Sequence, residues 1–155
     1  MAVILKIPLQ QKVFLNLPTD IDPDQDTYVE VRQATQREVE KRADLTADAS
    51  RIFRDGSQEV EVRQRWSVEE QKRLEVWLTL AGSNLVTEDS DHPEGQRPLF
   101  RFQKIKNSYM LAMTEEQFKE AWGSLPEVVA TSIHAAVLKV NPQWNPNYKA
   151  PSTVS

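Results

Sequence analysis

The sequence predicts an α+β domain: a small N-terminal antiparallel sheet and β-hairpin, a central helix, and a C-terminal helical hairpin. Two observations carry this. Residues 1–66 hold short runs of branched and aromatic side chains punctuated by prolines and an Asp-Gly turn, whereas residues 67–144 hold apolar positions at three-and-four spacing. Residues 1–144 therefore read as a single domain, strand-rich and then helix-rich, with 145–155 a polar, proline-bearing flexible tail.

Two β-like runs open the chain, "VILKI" and "VFLNL", each followed by a proline that cannot continue a central strand. The acidic loop "TDIDPDQD" leads to "TYVEVRQ", whose alternation turns Val29 and Val31 inward and Glu30 and Arg32 outward. Thr35 and Glu38 form a capping box that starts a helix running to about Ala49. Its apolar stripe of Val39, Ala43 and Ala47 is thin, and Glu38 can pair with Arg42 on the wet face. Asp55-Gly56 then suits a tight hairpin turn, with Val60, Val62, Gln64 and Trp66 alternating along its second arm.

Ser67 and Glu70 form a second capping box. The helix they open carries Leu74, Trp77, Leu78, Ala81 and Leu85 on one side, widened by Val76 and Leu80, and Gly82 and Asn84 are its stop signals. "TEDSDHPEGQRP" reads as an exposed loop, and "LFRFQKI" as a strand with Phe100 and Phe102 on one face. Thr114 and Gln117 form a third capping box for a helix containing Phe118, Ala121 and Trp122. Gly123 ends it, Ser124 can cap the next helix, and Pro126 sits near that helix's first turn. Leu125, Val128, Val129, Ile133, Ala136, Val137 and Val140 form the second stripe. No internal repeat or low-complexity domain stands out.

Composition narrows the function classes. Of 155 residues, 39% are apolar and 27% charged, values of a globular chain. The greasy opening is interrupted by Lys6, Pro8 and Lys12, so no membrane span and no secretory signal is expected. Without cysteine there is no disulfide scaffold, thiolate zinc site or cysteine nucleophile, which fits a reducing cytosol. Net charge is −4 and no basic stripe interrupts the mixed charges, which argues against nucleic acid.

Reactive constellations are scarce. Asp20, Asp22, Asp24 and Asp26 alternate, but a calcium loop begun at Asp22 would place Thr27 and Gln33 where glycine and glutamate are required. A solvated acidic loop is the better reading. His92 lies in "DSDHPEG" near Asp89 and Asp91, and His134 is one residue from the Ile133 face, where a partly buried or helix-rim histidine is usual. Neither has zinc spacing. No G-x-S-x-G elbow and no closely spaced glycines for a phosphate loop occur. The expectation is a non-enzymatic protein with no cofactor and no metal.

What remains is apolar surface. Trp122 and Trp144 end helices beside Gly-Ser and Asn-Pro breaks, positions from which an aromatic anchors either a core or a partner. The candidate partner-binding residues are Phe118, Trp122, Leu125, Val129, Ile133 and Trp144.

From "YVEVRQATQREVEKR" through "EEQKRLEVWLTLAGSNL" and "PLFRF" to "FKEAWGSLPEVVATSIHAAVLKVNPQW", residues 28–144 resemble the tail assembly chaperones of long-tailed bacteriophages. Phe118, Trp122, Leu125 and Pro126 match the family's F-x-x-x-W-x-x-L-P-like turn, and Asn141, Pro142 and Trp144 its N-P-x-W-like close. The resemblance implies a host-cytoplasmic protein that coats the tape-measure protein and recruits tail tube subunits, by binding and release. Self-association is compatible with it. A structural component of the phage particle (connector, minor tail or baseplate protein) is the alternative. A small hydrolase would require Asp89, Asp91 and His92 to meet other polar groups in a cleft.

Overall fold

The computed structural model describes residues 2, 9–51 (side chains as far as 45), 68–106 and 108–149. The expected strand at 3–7, the Asp55-Gly56 hairpin, Trp66, the Ser67 cap and residues 150–155 of the tail lie outside the described residues.

The fold is α+β. Strands β1 (Gln10–Phe14), β2 (Tyr28–Arg32) and β3 (Leu80–Ser83) form an antiparallel sheet in the order β1-β2-β3. Val13 lies opposite Val29 and Lys12 opposite Glu30. Val13, Leu15 and Leu17 are buried while Phe14 and Asn16 are exposed, so alternation continues past the strand's end. The run "VFLNL" is thus only partly strand, which begins three residues earlier than expected. Val29 and Val31 are fully buried, as their alternation predicts, but Arg32 is buried too.

The loop before β2 departs from the solvated reading. Asp22 is buried, and its carboxylate accepts from the backbone N–H groups of Asp26 and Thr27. Burial opposes ionisation, yet these hydrogen bonds outweigh it and hold the carboxyl below the ordinary aspartate value.

Helix α1 (Gln36–Arg51) opens with the expected capping box: Thr35 Oγ1 accepts from the Glu38 amide, and Glu38 Oε1 accepts from the Thr35 amide. Helix α2 (Val68–Thr79) stops earlier than its apolar stripe suggests. The Leu78 carbonyl accepts from Arg32 Nη2 at 2.7 Å, which closes the helix with a cation at its negative end. Leu80–Ser83 turns directly into β3, with Leu80, Ala81 and Gly82 buried in succession. The register shifts between Glu30 and Val31, leaving Ala81 as the extra residue of a bulge. Gly82 is therefore no helix stop. The Glu30 side chain lies across it, where any Cβ would collide.

Two antiparallel hairpins follow, β4 (Val86–Glu88) with β5 (Gln96–Pro98), and β6 (Phe102–Ile105) with β7 (Ser108–Leu111). The expected loop at 87–98 contains the first, whose connection returns through Gly95 at φ 72. Phe100 is buried ahead of β6, and β7 runs beside β3. Helices α3 (Glu115–Gly123) and α4 (Glu127–Val140) and a 3-10 turn (Pro142–Trp144) complete the described chain.

Val13, Leu15, Val29, Val31, Leu74, Val76 and Leu80 join Phe100, Phe118, Val129, Ile133, Val137 and Trp144 in one apolar cluster. The C-terminal helices therefore close the same core that the sheet begins. Among the described residues no helix is long and apolar enough to cross a membrane.

Candidate functional site

The C-terminal helical hairpin is built from local signals first. Thr114 and Gln117 satisfy each other's orphan backbone groups at the start of α3, as the capping pattern predicts. At its end, Ser124 Oγ donates to the Ala121 carbonyl, so this serine closes α3 and does not cap α4. The Pro126 carbonyl accepts from Val129 and Ala130 at the start of α4, where a missing N–H removes nothing useful.

Phe118 is fully buried between Phe100, with ring centroids 5.6 Å apart, and Trp122, stacked at 5.9 Å. Val129, Ile133 and Trp144 are likewise in the core. Of the six candidate partner-binding residues, only Trp122 and Leu125 are half-exposed, at the edge of the cluster on the α3–α4 turn. Trp122 stacks on the buried Phe118, and Val129, Ile133 and Trp144 belong to the same cluster.

A polar lock fastens the hairpin to the rest of the domain. Asn141 is buried; its Oδ1 accepts from the Ala34 amide at 2.7 Å, and its Nδ2 donates to the Arg32 carbonyl at 3.0 Å. Arg32 in turn makes a two-pronged ion pair with Glu38, at 3.0 and 2.7 Å. Deeper along α2, Glu75 accepts from Arg42 Nε at 2.8 Å on one carboxylate oxygen and meets His134 Nε2 at 2.7 Å on the other. The Arg42 guanidinium also lies over the Trp144 ring, 5.3 Å from its centre.

Glu38, expected to pair with Arg42, pairs with Arg32 of β2, and Arg42 pairs with Glu75 of α2. His134 is the partly buried histidine its position suggests, and it ties α4 to α2. Both Glu75 oxygens are occupied in a clamp joining α1, α2 and α4. Its chemistry is positional. None of this was visible as a motif; the only sequence signal was a set of polar residues at the margins of apolar stripes.

The groups considered for metal or hydrolytic chemistry serve a turn. Asp89 Oδ1 accepts from the Asp91 amide and its Oδ2 pairs with Arg97 at 3.4 Å, while His92 Nδ1 accepts from the Glu94 amide. Among the described residues, no cluster of three or more histidine, aspartate or glutamate side chains is placed to hold a metal ion. A cleft of about 420 Å³ opens between α3 and the β4–β5 hairpin, with Arg97, Arg101 and Glu120 on its walls and Leu99 and Ala121 beside them. Arg101 donates to Gln117 across it at 3.2 Å.

No protein-family model, curated protein or solved structure matches the chain.

Proposed function

We propose that the protein is a phage tail assembly chaperone, a non-catalytic protein of the host cytoplasm that binds the tape-measure protein and tail tube subunits and then releases them. The observation that supports this reading is the α3–α4 turn. Phe118 is sunk in the core, Trp122 is half-exposed on the capped helix α3, and Leu125 is half-exposed in the turn that follows it. Rigid apolar anchors of this kind present binding surface at low entropic cost. Three buried polar side chains, Arg32, Glu75 and Asn141, are engaged with groups of other elements.

A tagged pull-down from producing cells, with mass spectrometry on the eluate and on purified particles, tests it. Tape-measure and tube proteins in the eluate, with this chain missing from particles, support the chaperone. The chain in particles at constant stoichiometry replaces it with a structural component of the particle.

A further inference from the structure

A second surface stands apart from the α3–α4 turn. Between α1 and β7, floored by the end of α2, lies a slot of about 260 Å³. Trp77, Met110, Leu111 and Met113 line it, and each is only half-buried. Four apolar side chains converging on one depression leave apolar area in water that an apolar guest would cover. Met110 and Met113 are two of the chain's three methionines. Their unbranched, polarisable thioethers let a slot accept differently shaped guests.

The rim is cationic. Arg37 and Lys41 are exposed one helical turn apart on α1, and Lys41 Nζ lies 4.4 Å from the centre of the Trp77 ring. Arg32 also lines the slot, but its charge is met by Glu38. Among the described residues neither Arg37 nor Lys41 has a carboxylate partner. These two cations on a chain of net charge −4 form a local reversal of sign.

The volume falls below the roughly 300–1,000 Å³ typical of cofactor and drug-sized sites, which favours a side chain delivered by a peptide. Two cations are also few for a nucleic-acid backbone, whose affinity grows with each phosphate neutralised. We propose that this slot captures an apolar side chain of an acidic amphipathic peptide segment, with the segment's carboxylates on Arg37 and Lys41. The inference rests on the protein-binding reading above and names the partner chemistry for one surface of it.

The test uses the full chain with isotope-labelled methionine methyls. The probe is a synthetic helical peptide with leucines at four-residue spacing flanked by glutamates, together with its lysine-for-glutamate counterpart. The glutamate peptide shifts the Met110 and Met113 methyl signals and the lysine peptide does not. Arg37→Glu combined with Lys41→Glu weakens the interaction about tenfold, while the domain stays folded, its unfolding midpoint lowered only slightly by loss of the Lys41–Trp77 contact and by repulsion between the two new glutamates. Arg37→Lys retains binding.

The proposal is overturned by the absence of shifts, by equal response to both peptides, or by indifference to charge reversal. Equal shifts with an oligonucleotide overturn it too, as do the same shifts on concentrating the chain alone, which would make the slot an interface between copies. Pull-down of tape-measure protein at wild-type yield by the charge-reversed variant would sink the slot and leave the chaperone reading standing.

Discussion

Asn141 Oδ1 accepts a hydrogen bond from the backbone amide of Ala34, 107 residues earlier in the chain, at 2.7 Å. The same side chain donates to the Arg32 carbonyl, so one amide group completes the backbone pairing of the β2–α1 junction from the end of α4. Asn141→Ala strands a part-buried N–H and a buried C=O and leaves a void. The expected loss is about 3 kcal/mol, read as a lower denaturant midpoint at unchanged slope. Asn141→Asp loses stability as well, since its carboxylate cannot donate to the Arg32 carbonyl.

The Arg32–Glu38 pair gives a second prediction. With side chains 3% and 14% exposed, it has left water, and the Arg32 Nε has no partner among the described residues. Glu38→Ala leaves a buried cation against the Leu78 carbonyl alone and dismantles the α1 capping box. The expected cost is about 4 kcal/mol. Arg32→Met joined to Glu38→Leu removes both charges, and the double variant is expected to recover most of that loss. Equilibrium unfolding of Arg32→Met, Glu38→Leu and the double variant closes the cycle; additive losses would refute the coupling.

Asp22 predicts a pH dependence. Its carboxyl is held below the ordinary value because the Asp26 and Thr27 hydrogen bonds to the charged form outweigh burial. The folded chain therefore binds this proton less readily than the unfolded one. The resulting stability is fully present above the ordinary aspartate range and is lost as pH falls through the folded value. Asp22→Asn lowers the melting temperature more at about pH 7 than at about pH 2.5. A gap that stays constant or widens in acid would reverse the sign of the argument.

Local signals proved the most readable part of this sequence. The Thr35 and Thr114 boxes concern residues three apart, and no distant contact is needed to form them. Leu80–Ser83 misleads because its residues continue a helical stripe. The deciding interactions come from β2, through the Arg32 hydrogen bond to Leu78 and the pairing of Val31 with Leu80. Arg32 alternates outward on paper and is buried because Glu38 of α1 and the Leu78 carbonyl at the end of α2 both meet its guanidinium. The β4–β5 hairpin is short and mostly exposed, so it leaves little apolar alternation to detect. For the candidate site, apolar spacing located the hairpin but could not separate its core-facing positions from its rim. That separation depends on Phe100, which arrives from another element to cover Phe118.

Phe118 and Trp122 stack at 5.9 Å on one helix, yet they should respond differently to truncation. Phe118 has no exposed surface, and Phe118→Ala opens a cavity under Phe100 costing about 4 kcal/mol. Its loss of partner capture would follow from unfolding. Trp122 is half-exposed at the edge of the cluster, so Trp122→Ala costs stability less, about 1–2 kcal/mol, through partial burial and one lost aromatic contact. If the α3–α4 turn is a binding surface, Trp122→Ala removes most tape-measure capture while the far-ultraviolet spectrum and the unfolding slope stay those of the native domain. Retained capture by a folded Trp122→Ala variant would dismiss the turn as an anchor, because of the six candidate residues only Leu125 would then remain within a partner's reach.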